Sequence, residues 1–264
     1  MFGAIIGDIV GSVYEFDNIK TKDFEFFDKR CFFTDDTVMS VAVADALMQY
    51  EKIDDVEDFK KTLVKKMHKY GALYPYAGYG GRFLTWLIRE DTNPYNSFGN
   101  GSAMRVAPVA WYAKSLDEAI ALARATAEVT HNHPEGIKGA EVTAGAAFLA
   151  KAGSDKQQIR EFIEKYYKID CTIDEIRPTY RFNETCMDTV PQALVAFLES
   201  ESFEDAIRTG ISVGGDSDTL CAICGAVAEP YFGIDPIHEI MAISYLDDTL
   251  YGIVTKFKDK YVIK

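Results

Sequence analysis

The chain has 264 residues, 48% of them hydrophobic, and a formal net charge of −13. That length and apolar content can bury one large core. An acidic chain with no Lys/Arg cluster excludes the counterion-release binding that broad nucleic-acid recognition needs, and no uninterrupted apolar run is long enough to cross a membrane.

In chain order, the N-terminal stretch Met1 to Asp8 has no cationic lead-in, and Asp8 interrupts its apolar run, so it does not read as a secretory signal. Five cysteines, an odd number without such a signal, imply reduced thiols in a cytoplasmic protein. Wound as a helix, the stretch places Asp8, Gly11, Ser12 and Glu15 on one face, opposite Ile6, Val10 and Val13. That is the pattern of a surface helix, or of a helix with a functional acid at each end.

Helical spacing or composition then covers Thr37 to Tyr50, Val56 to Tyr70, Ala103 to Ala113, Leu116 to Thr130, Glu135 to Ala152 and Lys156 to Tyr167. It resumes over Val190 to Glu199, Phe203 to Ile211, Thr219 to Val227 and Pro236 to Ile243. Ser115, Ser154 and Ser202 each precede an acid or amide near the third helical position, as capping boxes do. Irregular pieces fall around Ile19 to Phe33, Tyr74 to Gly81, Asp91 to Gly101 and Asp170 to Asn183. Strand signals are scarce and no linker or repeat interrupts the chain, which predicts a single all-α domain over residues 1–264.

Two motifs carry the chemistry. Thr34-Asp35-Asp36-Thr37 and Gly214-Gly215-Asp216-Ser217-Asp218-Thr219 each stand just before an apolar helical run. Asp and Thr at a helix start cap orphan N–H groups, and that alone explains either motif. Each motif, however, has two acids within three residues, and neighbouring carboxylates repel unless a cation or strong donors offset them. The four aspartates and the hydroxyls form a hard oxygen set suited to Mg²⁺, Mn²⁺ or Ca²⁺, and four Asp charges would balance two divalent ions. Glu15, nearest in sequence to the first motif, is the candidate catalytic acid or base. Cys221-x-x-Cys224 lies in a small apolar run and reads as packing. His131-x-His133 has no third soft ligand nearby and reads weakly as a zinc site.

Taken in order, Gly7-Asp8-x-x-Gly11-Ser12-x-x-Glu15, Thr34-Asp35-Asp36-Thr37, Gly78-Tyr79-Gly80-Gly81, Phe98-Gly99-Asn100-Gly101-Ser102-Ala103-Met104-Arg105, Thr130-His131, Thr189-Val190-Pro191-Gln192-Ala193-Leu194 and the 214–219 motif resemble the ADP-ribosylglycohydrolase family across most of the chain. The resemblance implies a compact orthogonal multi-helix all-α domain that binds two Mg²⁺ or Mn²⁺ ions. Thr34, Asp35 and Asp36 would hold one ion, Asp216 and Thr219 the other, with Asp218 bridging, and Glu15 would match a mobile glutamate beside them. Gly80 and Gly81 would cradle a diphosphate. Ser97, Phe98, Asn100 and Gly101 would hold the adenosine half, with Phe98 as a stacking platform, and His131 would lie near the diphosphate. Met104 and Arg105 belong to the same signature, and Arg105 could equally be a structural ion-pair partner. Arg82 and Trp86 follow the glycine loop at helical spacing and default to packing.

The activity so implied is hydrolysis at C1 of the distal ribose of an ADP-ribosylated protein, nucleic acid or small molecule, by direct water attack through an oxocarbenium-like state. Arginine-directed members carry an acid between the first metal motif and the adenosine loop, and here Ala77 to Phe83 contains none. The acceptor therefore stays open among arginine, serine, O-acetyl, nucleobase and polymer linkages. The D-D-x-x-D motif of prenyl transferases is not matched, since Thr37-Val38-Met39-Ser40 follows Asp36 with no acid at the fifth position. A non-catalytic ADP-ribose-binding or structural protein on the same fold would have lost metal ligands, and none of the six positions is missing. Asp247-Asp248-Thr249 echoes the first motif without a glycine lead-in and reads as a decoy.

Overall fold

The computed structural model describes residues 1–262, so the last two positions of the predicted domain lie outside the described residues. Within them the chain forms fifteen helices: α1 Phe2–Gly11, α2 Asp35–Leu47, α3 Val56–Leu73, α4 Gly81–Ile88, α5 Gly101–Met104, α6 Ala107–Tyr112, α7 Leu116–Glu128, α8 Pro134–Lys151, α9 Lys156–Ile163, α10 Ile173–Ile176, α11 Cys186–Glu199, α12 Phe203–Val213, α13 Ser217–Phe232, α14 Pro236–Ile243 and α15 Asp248–Tyr261. Among the described residues there is no strand, only an isolated bridge between Gly99 and Thr185. The predicted all-α class holds.

The centre is the pair α1 and α13. All ten residues of α1 are buried, as is α13 from Ser217 to Glu229. Gly3, Gly7 and Gly11 recur every fourth residue along the contact, so their backbones can press directly on α13. A Cβ on Gly7 would run into the Cys221 carbonyl, one on Gly3 into that of Gly225, and one on Gly11 would lie 2.5 Å from the Asp218 Cα. This glycine seam carries Asp8 alongside the 216–219 segment. It also overturns the surface-helix pattern read from the sequence: the helix ends at Gly11, its polar stripe is internal, and Glu15 lies in the turn that follows.

Other departures have local causes. The helix expected over Ala103 to Ala113 breaks between α5 and α6, because Pro108 has no N–H to offer the Met104 carbonyl, which accepts the Ser40 hydroxyl instead at 3.4 Å. Ser154 does not cap α9; Asp155 does, in a reciprocal box with Gln158. Ser115 and Ser202 cap α7 and α12 through the N–H groups of Glu118 and Asp205. Helices α4, α10 and α15 arise where none was expected. The Asp247 carboxylate caps α15 at the Thr249 and Leu250 N–H groups, so the second D-D-T triplet is a helix start. Cys221 and Cys224 are free and buried, with thiols against the Ile207 and Ala206 carbonyls.

Candidate active site

Site geometry begins at Asp8. Its buried carboxylate accepts the Thr34 N–H at 3.0 Å, the Thr34 hydroxyl at 2.7 Å, the Thr37 N–H at 3.0 Å and the Thr37 hydroxyl. Burial pushes Asp8 up to about 6 against the pull of those donors. The start of α2 is thereby fixed to α1, with Thr34 as N-cap accepting the Asp36 N–H. On the other side, Gly214 and Gly215 take positive φ angles of 73° and 80°, which L side chains avoid, and they turn the chain into α13. Asn18 ties this turn down by accepting the Gly215 N–H at 2.7 Å and donating to its carbonyl at 2.9 Å.

The two motifs meet. The Thr219 hydroxyl donates to Asp36 Oδ2 at 3.1 Å, joining residues 183 positions apart. Asp35, Asp36, Asp216, Asp218 and Thr219 line one cleft of about 240 Å³ together with Glu15. One carboxylate oxygen each of Glu15, Asp216 and Asp218 lie within 4.8 Å of one another. Asn100 donates to Asp216 Oδ2 at 2.7 Å, and the Thr219 N–H donates to Asp218 Oδ1 at 2.9 Å. Among the described residues none of these carboxylates is in a salt bridge.

Unneutralised acids so close together resist ionisation. Burial first, and then Asp218, Asp8 and Glu184, push Glu15 up to about 8. Asp216 rises to about 6 by burial. Asp35, Asp36 and Asp218 stand well above the usual carboxylate range, through burial and then through the charges of neighbouring aspartates, with Asp218 first for Asp35 and Asp36 and Asp216 first for Asp218. Asp36 Oδ1 is buried with no hydrogen-bond partner among the described residues, an arrangement that costs free energy unless something positive fills it. The donor set is entirely oxygen. These residues fit hard divalent cations, and no soft ligand is among them.

Of the predicted metal ligands, Thr34 alone does not line the cleft; its hydroxyl and N–H serve Asp8. Among the predicted substrate residues, Gly80, Gly81, Ser97, Asn100, Gly101 and His131 line the cleft and Phe98 does not. Phe98 is 41% exposed, with its ring edge-on to His133 at 5.3 Å. Asn100 has its amide committed to Asp216 and to the Thr189 hydroxyl, so it orients an acid of the cluster. A Cβ on Gly80 or Gly81 would meet no protein atom within 4 Å, and neither residue has a positive φ; the open space belongs to the cleft.

Arg105 is 1% exposed, and it donates to the Thr126 carbonyl and the Thr130 hydroxyl rather than to an acid. The alternative of an ion-pair partner is corrected. His133 caps α8 through its Nδ1 and does not line the cleft with His131. Trp86 is core, stacked on His68 at 4.3 Å, whereas Arg82 lines the cleft beneath a donation to the Tyr95 carbonyl.

Sequence reasoning missed Tyr95, Phe182 and Glu184, all of which line the cleft. Phe182 and Glu184 lie in an irregular run with no motif spacing, and only folding brings them beside Glu15. Phe182 stacks on Phe16 at 5.9 Å, and both rings are exposed.

A sequence model of the ADP-ribosylglycohydrolase family matches residues 1–258. The chain belongs to the ADP-ribosylglycohydrolase family. It is 26% identical to the human ADP-ribosylhydrolase ARH3, an alignment covering 90% of this chain and 85% of the relative. It is also 26% identical to the ADP-ribosylarginine hydrolase Tri1 of Pseudomonas putida, over 89% of this chain and 70% of the relative. A solved structure titled as an ADP-ribosylglycohydrolase-related protein complex superposes with a TM-score of 0.70 over 98% of this chain and 95% of its own, at 22% identity, a likeness of fold. Both of these relatives are hydrolases by name, and the cleft described above is where this chain assembles its acids. Among the described residues no helix is long and apolar enough to cross a membrane.

Proposed function

We propose that this member of the ADP-ribosylglycohydrolase family hydrolyses the glycosidic bond at C1 of the distal ribose of ADP-ribosylated substrates and releases ADP-ribose, with two divalent cations, Mg²⁺ or Mn²⁺, as cofactors. The observation that carries this reading is the convergence of the 34–37 and 216–219 motifs on one cleft, with an unpartnered buried oxygen on Asp36. Asp35, Asp36, Asp216, Asp218 and Thr219 would hold the ions. When bound, such ions supply Lewis-acid polarisation and neutralise the clustered charge.

The chain's own residues do the rest. With cations offsetting the neighbouring acids that hold Glu15 protonated, Glu15 would be free to ionise; it stands at the edge of the cluster, half-buried, where a water approaching C1 can pass it a proton. Water oxygen then bonds to C1 as the C1–acceptor bond breaks, and the acceptor leaves with its electron pair and takes up the proton that Glu15 received. Asn100 keeps Asp216 oriented. Gly80 and Gly81, at the start of α4, leave N–H groups and open space for an anionic group away from the acids. The like-charged acids favour that separation, since a diphosphate beside Asp218 would add to their repulsion. The cytoplasmic location expected for the free cysteines belongs to the same proposal.

A panel of defined conjugates tests it: arginine-, serine-, O-acetyl- and nucleobase-linked ADP-ribose and poly(ADP-ribose), assayed for free ADP-ribose with Mg²⁺, with Mn²⁺ and with chelator. Release from at least one conjugate, abolished by chelation, is the expected result. Tight ADP-ribose binding with no release from any conjugate would make the protein a binding module.

A further inference from the structure

At the wall of the cleft a chain of three hydrogen-bonding groups runs from Arg105 through the buried Thr130 to His131. Arg105 is a donor only, and its Nη2 reaches the Thr130 hydroxyl oxygen at 2.8 Å and the Thr126 carbonyl at 2.9 Å. The Thr130 side chain is fully buried. Its oxygen accepts from Arg105, so its own hydrogen needs a different acceptor. The one in reach is His131 Nδ1, at 2.8 Å. If Nδ1 carried the proton instead, two donors would face the same oxygen and the hydroxyl hydrogen would be buried without a partner, at a cost of about 1 to 3 kcal/mol.

We propose that Arg105 and Thr130 are positioning residues that hold His131 as the neutral imidazole protonated on Nε2, so that a fixed N–H faces the cleft. This rests on the reading of the cleft as the ADP-ribose site. Nε2 has no hydrogen-bond partner among the described residues, and its surroundings are kept open by glycine. A Cβ on Gly101 would come within 3.2 Å of Nε2, and one on Gly99 within 3.5 Å. The charged and titratable groups around the ring are Arg105 and Arg82, with the Tyr95 ring at 6.0 Å. Burial first, and then those two guanidinium charges, hold His131 well below the usual histidine range. A neutral donor suits a phosphate or hydroxyl oxygen of the ligand, whereas the opposite tautomer would turn a lone pair toward it. Arg105 itself lines the cleft, and through Thr130 it also sets which nitrogen of His131 has the proton, so the site keeps its donor without a proton that comes and goes near neutral pH.

The test is a long-range ¹H–¹⁵N correlation spectrum of the full chain with ¹⁵N-labelled histidine; the chain has four His residues, and His131→Gln assigns the signal. The expected spectrum at pH 7 shows an unprotonated Nδ1 and a protonated Nε2 for His131. Thr130→Val is expected to give mixed tautomers and to weaken ADP-ribose binding about tenfold, the loss of one well-formed hydrogen bond, and Thr130→Ser to restore both. A charged or Nδ1-protonated ring in the wild type overturns the proposal, as does a Thr130→Val protein with unchanged signals and affinity. A wild-type ring of the expected form in a protein that binds no ADP-ribose leaves the proton placement standing and overturns the site reading.

Discussion

Thr34 to Thr37 and Asp216 to Thr219 both open a helix with a pair of acids, yet they are held in opposite ways. The first is gripped by an outside carboxylate, Asp8, which takes four donors from Thr34 and Thr37. The second has no such grip: two left-handed glycines set its backbone, Asn100 donates once to Asp216, and Asp218 has the N–H of its neighbour. Best satisfied among these acids is Asp8, and it builds the fold. Asp36, whose buried Oδ1 has no hydrogen-bond partner among the described residues, is the one most available to a cation. Satisfaction of hydrogen bonds therefore separates scaffold from chemistry inside one cluster.

The sharpest way to break this contrast is at its best-satisfied member. Asp8→Ala leaves buried donors on Thr34 and Thr37 without an acceptor, and should cost about 3 kcal/mol in urea unfolding as well as the activity. A loss under about 0.5 kcal/mol would mean that Asp8 is no scaffold. Asp36→Ala and Asp216→Ala should instead abolish ADP-ribose release, by more than about a hundredfold, while the helical circular dichroism stays that of the wild type. Collapse of both proteins would return the motifs to simple helix capping.

A pH series sharpens it further. Asp8 and Asp216 stand near 6 and Glu15 near 8 in the folded chain, above their ordinary values of 3.8 and 4.5. Over that interval the folded state binds more protons than the unfolded, so the stability of chelator-treated protein should fall as pH rises from about 4 to about 8. Added Mg²⁺ should flatten the fall, and Asp218→Asn should make it shallower without any metal, both read by thermal melts at fixed ionic strength. A melt that rises with pH in chelator would contradict the crowding of acids. Smaller still, Asn100→Ala should lower kcat/KM about tenfold, as loss of one charge-assisted hydrogen bond to Asp216 would, with stability nearly intact. Least of all, Asp247→Ala should remove about 1 kcal/mol of stability as a lost N-cap and leave ADP-ribose release untouched.

What could be read in the sequence was what local chemistry announces. Paired aspartates between threonines and glycines, Gly80-Gly81 and Ser115 before an acid all state their business within a few residues, and the all-α class followed from spacing. Three kinds of feature could not be read that way. A helix buried on every side, as α1 is, shows no apolar face to distinguish it, so its internal polar stripe resembled a surface. Helix α15 was not read because its lysines dilute the apolar signal of Leu250, Val254 and Phe257, although the D-D-T triplet that caps it was set apart from the metal motifs. Residues such as Glu184, Phe182 and Tyr95 reach the cleft from irregular segments, where nothing but the fold relates them to Glu15. Thr34 was read as a metal ligand, and its hydroxyl and N–H serve Asp8; Asn100, read as a substrate contact, does line the cleft and also donates to Asp216. Thr130 and Arg105 illustrate the same limit, since a tautomer is fixed by partners 25 residues apart in sequence.

The central claim is that two distant acid motifs form one site for a pair of divalent cations. Titration of metal-stripped protein with Mn²⁺, followed by the loss of the free-ion electron paramagnetic resonance signal, tests it most directly. The account predicts uptake of two Mn²⁺ per chain in the wild type, with binding weakened at both places by Asp218→Asn and with a folded protein throughout. Uptake by the wild type no greater than that of an Asp36→Asn/Asp218→Asn double variant would contradict it.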